Sequence, residues 1–425
     1  MGTSSRPLAP DFTFQFVVTL HPTPATLSEA FLRYKALTRP RRASSTTTTH
    51  GAIHSLEVSV ASTNESPPQL GTNESYTLAV AASGNATLHA PTVYGALRGL
   101  ETFSQLVQFD ASTATYSVDR VPLLIHDSPR FPHRGFMVDT SRHWQSIAML
   151  KRLLDSLAYA KMNVLHWHAV DDQSFPLEVR SFPQLQSLGA FSAAERYTRH
   201  DVADIVQYAQ RRGIRVLLEI DTPSHTSCWC RGYPSVCPPR PCKDGVTRTP
   251  LDPSKNSTFE MIQTLLAEVV PQFPEQLLHV GQDEVDVGCW SSEQNPTIGA
   301  WQNSQGFATP DEAYVYTAAR IERGVRALNR TAVQWWPGLC LGVPTGNRTC
   351  GKTTHFCPCR GVVSGSDDDE HTNKNNHTRG IDKDTILQLW ADGANWNTSV
   401  VDVVNAGYRA ILSTPWYLED VHLIT

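Results

Sequence analysis

The chain has 425 residues, and its 36 Lys+Arg against 41 Asp+Glu give a formal charge of −5, a balance that excludes a basic nucleic-acid binder. Hydrophobic residues make up 40% and charged ones 18%, which places it among globular chains and away from disorder; no apolar run approaches the roughly 18 residues of a membrane span. At roughly 150 residues per domain, the length accommodates two or three domains.

The amino terminus, MGTSSRPLAPDFTFQF, lacks the basic and apolar regions of a secretory signal. Against that stand eight N-x-S/T sequons, at Asn64, Asn73, Asn85, Asn256, Asn329, Asn347, Asn376 and Asn397, and nine cysteines. Together they argue for an oxidising, glycan-bearing compartment, and the two readings agree if the true start lies upstream of Met1. Nine is odd, so at least one thiol is free or pairs outside the chain.

Residues 1–132 read as a small α+β domain. SLEVSVAS (55–62) and ESYTLAVAA (74–82) alternate as half-buried strands do, 92–108 carries apolar residues at helical spacing, and ATYSVDRV (114–121) reads as a further strand. The Thr-rich stretch 38–51 reads as a loop. The two prolines of DSPRFPHR (127–134) mark a boundary.

From 133 to 425 apolar strands alternate with amphipathic helices. The strands are RGFMVDTS (134–141), MNVLHWHAV (162–170), IRVLLEID (214–221), QLLHVGQDE (276–284), TAVQWW (331–336), TILQLW (385–390) and RAILSTPWYL (409–418). Ile147, Leu150, Leu154 and Leu157 form one helical stripe; Val202, Ile205, Val206 and Ala209 form another that stops at Gly213. A third helix opens on the capping-box pattern Ser257-x-x-Glu260. Such α/β alternation, with no glycine-rich nucleotide fingerprint after its first strand, predicts a (β/α)₈ TIM barrel rather than a doubly wound sheet. The eighth strand is missing from this chain, so the barrel reads as carboxy-terminally incomplete.

In such a barrel the reacting residues lie at the carboxyl ends of the strands. Those ends carry Arg142, Asp171-Asp172, Asp221 and His225, Asp283-Glu284, Trp335, Trp390 and Trp416-Tyr417. Aromatic rings that stack on pyranose faces, with an arginine and carboxylates for hydroxyls, suit a sugar. Singly, each has a plainer reading: Asp171-Asp172 as a helix cap, the tryptophans as core, Arg142 as a surface ion pair. His166 and His168, two apart on one strand, could ligate a metal but lack a third ligand at a recognisable spacing, so neither metal nor cofactor is implied. Asp283-Glu284 is the most informative pair. Along a strand, adjacent side chains point to opposite faces, so the two cannot easily flank one glycosidic bond as acid and nucleophile; if Glu284 donates the proton, its neighbour does something else, and one known solution is for the substrate to supply the nucleophile itself.

HRGFMVDTSRHW (133–144), NVLHWHAVDDQSFP (163–176), IRVLLEIDTPSHT (214–226), HVGQDEV (279–285) and ILSTPWYLE (411–419) resemble glycoside hydrolase family 20, the β-N-acetylhexosaminidases, and within it the lysosomal β-hexosaminidase subunits. SYTLAV and VYGALRGLETFSQLVQ resemble the family's non-catalytic amino-terminal unit. The resemblance implies Glu284 as general acid/base, with a raised pKa, and Asp283 as the residue that holds the substrate's 2-acetamido group. It implies Asp171 and His225 as a pair steering the proton of Glu284, and Arg142 on the sugar's C3 and C4 hydroxyls. Trp390 and Trp335 would wall the acetamido pocket, Tyr417 would donate to the acetamido oxygen, and Glu419 would face the outer hydroxyls. It favours a disulfide from Cys242 or Cys237 to Cys289.

Three departures stand out. Gln282 replaces the second glycine of the family's Gly-Gly-Asp-Glu, Ser224 replaces a glycine before His225, and Glu419 replaces an Asp or Asn. The segment between Trp336 and Asp384 is far longer than the family's connection, and its Cys340, Cys350, Cys357 and Cys359 lack the spacing of zinc knuckles. The expected activity is exo-hydrolysis of terminal non-reducing β-linked GlcNAc or GalNAc through an oxazolinium intermediate. Its partners are N-acetylhexosamine-terminated glycoconjugates, its location lysosomal or secreted, and its full-length form a homodimer. The alternatives are an inactive fragment or a lectin-like sugar-binding barrel, and an endo-acting chitinase-like barrel.

Overall fold

The computed structural model describes residues 2–17, 22–42, 51–242, 249–336, 381–390, 396–414 and 416. They form two compact units. The first comprises Met1–Phe136, Ile147–Leu165 and Asp204–Val216; the second comprises Met137–Ser146, His166–Ala203 and Leu217–Thr425.

The first unit is built on β1 (Ser4–Phe16), α1 (Ala25–Thr38), β2 (Ile53–Val60), β3 (Tyr76–Val80), β4 (Ala86–Ala90), α2 (Val93–Leu106), β5 (Val107–Asp110), β6 (Thr115–Val121) and β7 (Leu123–Asp127). The sheet order is β5-β6-β1-β2-β4-β3-β7, with β1, β2 and β4 parallel and the remaining pairs antiparallel. Residues alternate between buried and open along β3 and β4, so one face is available to bury against helices. Leu56, Leu78 and Leu88 from that face meet Leu27, Leu97, Leu100 and Phe103 of the helices in one core. The Thr92 hydroxyl caps α2 by accepting the Gly95 N–H at 3.0 Å. The sequence reading missed β1 because Pro7 and Pro10 interrupt its alternation, and its pairing shifts register between Leu8 and Thr13 and between Ser4 and Arg6. It also missed α1, β4, β5 and β7, most of them too short to show a period.

This unit holds a buried ion cluster. The Glu74 carboxylate accepts from Arg98 Nε at 2.7 Å, from Arg134 Nη2 at 2.9 and 3.0 Å, and from Asn163 Nδ2 at 2.9 Å. Arg98 also donates to the Gly213 carbonyl at 2.8 Å. Gly213 has φ +69°, and a Cβ there would press on Arg98 and Tyr94.

The second sheet contains β8 (Gly135–Asp139), β9 (Val164–His168), β10 (Arg215–Glu219), β11 (Leu277–His279), β12 (Thr331–Trp336), β13 (Ile386–Leu389) and β14 (Arg409–Leu412). It runs in strict sequence order, β14 to β8, with β10 through β14 pairing in parallel. Between the strands lie α3 (Ile147–Tyr159), α4 (Pro183–Gly189), α5 (Arg199–Gln210), α6 (Ser227–Gly232), α7 (Asn256–Val269), α8 (Pro296–Gln305), α9 (Pro310–Ala327) and α10 (Trp396–Asn405). All seven expected strands are present as a curled seven-strand α/β barrel sheet, with β8 and β14 at its edges among the described residues. β9 and β10 are buried at every position, as a strand covered on both faces must be. Trp336 packs with Tyr314, Val315 and Ala318 of α9 on one face. His166, Glu219, His279 and Trp335 meet on the other. The capping box expected at Ser257 is absent: α7 starts one residue earlier, at Asn256, and its N-cap, Lys255, makes no side-chain cap.

Glu74→Ala leaves the buried guanidinium of Arg98 and the partly buried one of Arg134 without their carboxylate, and an uncompensated buried charge costs about 3–5 kcal/mol. The urea midpoint of the variant is expected to fall accordingly; an unchanged midpoint contradicts the assignment.

Candidate active site

The first strand of the second sheet ends where a polar side chain turns the chain. At the end of β8, Asp139 Oδ1 accepts the N–H groups of Ser141 at 3.0 Å and Arg142 at 2.9 Å, an Asx turn that aims Arg142 across the rim. Arg142 Nη1 pairs with Asp139 at 2.7 Å and Nη2 with Asp171 at 2.8 Å, while 41% of its side chain stays exposed. Burial would lower this guanidinium, but Asp171 and Asp139 raise it. Asp172 Oδ1 accepts the backbone N–H of Ser227 at 2.8 Å and its hydroxyl at 2.6 Å, so it serves the start of α6.

After β11 the backbone leaves the extended region. Gly281, Gln282 and Glu284 have φ of +70°, +78° and +49°, and His225 on the neighbouring loop has +56°. Gly281 cannot carry a side chain, because a Cβ would run into the Asp221 carboxyl. Gln282 is held from two sides: its N–H donates to Asp221 Oδ1 at 3.3 Å, and its carbonyl accepts from the Tyr314 hydroxyl. That left-handed backbone is the physical reason a glycine suits position 282. The Gln282 amide is fully buried and finds no hydrogen-bond partner among the described residues.

The turn overturns the expectation that Asp283 and Glu284 point apart. β11 ends at His279, and with Glu284 left-handed both carboxylates come to the same side. Asp283 Oδ2 and Glu284 Oε2 each lie 3.5 Å from His225 Nε2. Behind them, His225 Nδ1 is 3.2 Å from Asp171 Oδ1. Asp171 Oδ1 also accepts the Asp172 N–H at 2.6 Å, and its Oδ2 is 2.8 Å from His168 Nε2. The structure thus brings together Arg142, Asp171, His225, Asp283 and Glu284.

Deeper in the same face lies Glu219, which the sequence reading passed over. Its Oε2 is 2.6 Å from His166 Nε2 and 2.8 Å from His168 Nδ1, and its Oε1 accepts from Trp335 Nε1 at 2.8 Å. A charged residue inside the apolar run IRVLLEID was the available signal, since a buried charge requires partners. Trp335 is accordingly a buried partner of Glu219, its ring 4.7 Å from that of His279. Trp390 is half-buried, with no partner for its Nε1 among the described residues. Tyr417 and Glu419 lie outside the described residues, as do Cys340, Cys350, Cys357 and Cys359.

Charge alternates along this cluster. Burial would raise Glu219, but His168, His279 and His166 pull it well below the carboxylate range. Burial drives His166 down to about 4, which leaves it neutral. Burial also opposes charge on His168 and His225, yet Glu219 on the first and Asp221 with Asp283 on the second hold both above the usual imidazole range. Asp171 lies below the usual range because hydrogen bonds from His168 and His225 outweigh its burial. Asp221 moves the other way, raised by burial and by the neighbouring Asp283. As to metals, His166, Glu219 and His279 bring donor atoms within 4.8 Å of one another, but both Glu219 oxygens already accept hydrogen bonds and His279 Nδ1 accepts the Gly281 N–H at 3.1 Å. The set suits internal pairing better than an ion.

Cys242 bonds to Cys289, which lies five residues past Glu284, and Cys230 bonds to Cys237. Cys228 is buried and free. Of the two pairings the resemblance favoured, the one from Cys242 is present.

Two outcomes follow for stability. Gln282→Gly removes a left-handed non-glycine residue, worth about 1–2 kcal/mol, and a buried unpartnered amide; the expected result is a higher melting temperature, and a lower one contradicts the strain. For pH, the raised His168 and His225 contribute fully below the ordinary imidazole value of about 6.5 and lose their contribution as pH climbs toward their folded values. The lowered Asp171 and Glu219 contribute fully above about pH 4 and lose it as pH falls toward theirs. Denaturant midpoints should plateau between these limits, and His225→Ala should flatten the decline on the alkaline side.

Comparison with known proteins matches residues 131–423 to the catalytic domain of glycosyl hydrolase family 20 and residues 10–106 to a unit described as beta-acetyl hexosaminidase like. Beta-hexosaminidase 1 of Arabidopsis thaliana is 44% identical over 289 residues, 67% of this chain and 52% of that protein. Beta-hexosaminidase subunit alpha of Mus musculus is 37% identical over 412 residues, 93% of this chain and 69% of that protein. The crystal structure of Flavobacterium johnsoniae chitobiase superposes with a TM-score of 0.75 at 28% identity, covering 98% of this chain and 58% of that one. The chain thus spans between about half and two thirds of the length of the proteins it matches. With a family model over most of its length and relatives above 30% identity along nearly all of it, the chain belongs to glycosyl hydrolase family 20.

Proposed function

We propose that this protein is a retaining exo-glycosidase that removes terminal, non-reducing β-linked N-acetylhexosamine, GlcNAc or GalNAc, from glycoconjugates. One observation carries the reading: two sequence-adjacent carboxylates, Asp283 and Glu284, face the same nitrogen of His225 at 3.5 Å. They therefore stand on one side of a bound sugar, and neither can attack C1 opposite a leaving group protonated by the other. The attacking atom is the carbonyl oxygen of the substrate's own acetamido group.

As that oxygen bonds to C1, the bond from C1 to the glycosidic oxygen breaks, and the departing oxygen takes the proton of Glu284. Asp283 stabilises the positive charge that develops on the acetamido nitrogen and the oxazolinium ring. Water then attacks C1 with Glu284 as base, the ring opens, and the configuration is retained. His225, held charged by the carboxylates around it, stabilises the carboxylate that Glu284 becomes, and Asp171 fixes its ring at 3.2 Å. Arg142, with part of its guanidinium open, binds the C3 and C4 hydroxyls; Trp390, Trp335, Tyr417 and Glu419 complete the sugar pocket. The names of the relatives, beta-hexosaminidase and chitobiase, support this substrate class.

The same reading assigns residues 1–132 to a non-catalytic domain and 133–425 to the catalytic barrel. It places the enzyme in the lysosome or outside the cell, with a homodimer as its full-length form. No described helix is long and apolar enough to cross a membrane. A second reading, a barrel that binds the sugar without turnover, is favoured by the unpartnered Gln282 amide at the acid-bearing turn.

Turnover of an aryl β-N-acetylglucosaminide tests the proposal. Glu284→Gln is expected to lower kcat by about 10²–10⁴-fold, and the corresponding β-glucoside, which lacks the amide, should be cleaved far more slowly. Equal rates for the variant and the unmodified chain overturn the role of Glu284, and binding without turnover supports the second reading.

A further inference from the structure

His168 and Glu219 are buried inside the sheet, and the geometry ties them to the rim. His168 sits between two carboxylates, with Nε2 2.8 Å from Asp171 Oδ2 and Nδ1 2.8 Å from Glu219 Oε2. Asp171 in turn faces His225, and His225 faces Glu284 and Asp283. The resulting line runs through Glu219, His168, Asp171 and His225, negative and positive groups in alternation, and ends on Glu284. Every other charged group that faces His168 is accounted for. Asp139 on β8 lies near it and pairs with Arg142, which also holds Asp171. On its own strand His166 shares Glu219, and on β11 His279 reaches Glu219 at 3.3 Å. Asp221 lies on the far side, beside Glu219 and Asp283.

We propose that His168 and Glu219 are positioning residues for the hydrolysis, anchoring Asp171 so that His225 stays aimed at Glu284 while its proton passes to the leaving oxygen. The inference rests on the function proposed above. The chemistry explains why two residues this deep would matter. Asp171 Oδ2 is drawn by Arg142 toward the end of β8 and by His168 toward β9, and a carboxylate with one of these removed rotates toward the other. Such a rotation swings Oδ1 away from His225 Nδ1. The pull from His168 is strongest while both its ring nitrogens carry protons, one facing Asp171 and one facing Glu219, and Glu219 is the group that favours that state: burial opposes the charge and Glu219 is the largest influence raising it.

A structural role and a positioning role differ in which substrates suffer. An aryl leaving group of low pKa departs without a proton, whereas a phenyl leaving group needs the proton of Glu284. His168→Gln and the isosteric Glu219→Gln are therefore expected to lower kcat for phenyl β-N-acetylglucosaminide about tenfold or more, at the lower end of what general acid catalysis supplies. With the 2,4-dinitrophenyl substrate kcat should stay within about threefold, and KM should stay nearly constant for both. An equal loss with the two substrates overturns the inference while leaving the proposed function standing. Absence of turnover of either substrate by the unmodified chain overturns both. A measurement on the unmodified chain needs no variant: in ¹⁵N-histidine spectra His168 should carry protons on both ring nitrogens at pH 7. A neutral His168 there overturns the inference even if both variants fail to fold.

Discussion

The burial of one carboxylate, Glu219, is the constraint from which the second unit's geometry follows. A charge fully removed from water costs several kcal/mol unless it is paired and hydrogen-bonded, and Glu219 is wholly buried at the end of β10. Its hydrogen-bond partners are His166 on β9 and Trp335 on β12, and the His168 ring on β9 pairs with it at 2.8 Å. These partners are met only if β10 opposes β11 with Glu219 level with His279. A slip of one residue would turn the charge toward the helices and strand it among apolar side chains. Strand register and a fixed pattern of charge are thus set by the same contacts.

From that anchor the alternation of sign runs outward to the rim. Each step leaves the next group with one preferred state: Glu219 charges His168, His168 keeps Asp171 ionised, and Asp221 and Asp283, with Asp171 behind them, keep His225 charged. Groups prearranged in this way need little reorganisation when charge moves, which is the main electrostatic advantage of a protein site over water. A neutral neighbour matters equally. Burial depresses His166 to about 4 and so removes a charge that would otherwise compete with the line.

Much of this was legible in the chain. Seven apolar segments ending in polar or aromatic residues mark the seven strands of the barrel sheet, because a strand buried on both faces has no other reading. The rim residues follow from where those segments stop. The turn at Gly281-Gln282-Asp283-Glu284 was not legible in that way. Alternation along a strand puts adjacent carboxylates on opposite faces, and only the early end of β11 at His279, followed by left-handed residues, brings them together. Left-handed backbone at Gln282 or Glu284 has no side-chain signature, since it depends on what Asp221 and Tyr314 hold from outside. Glu219 was visible but unread, as a lone charge in an apolar strand. In the first unit β1 escaped because bulges and prolines break the period by which strands are recognised.

The Glu74 cluster bears on how such a chain could have been assembled in evolution. Arg98 and Glu74 belong to the small sheet's own sequence, while Arg134, Asn163 and Gly213 come from segments that continue into the barrel strands. A recombination that brought in a foreign amino-terminal module at residue 132 would leave Arg134 and Asn163 without their carboxylate. The two segments are therefore expected to be inherited as a block, with gene shuffling confined to junctions elsewhere.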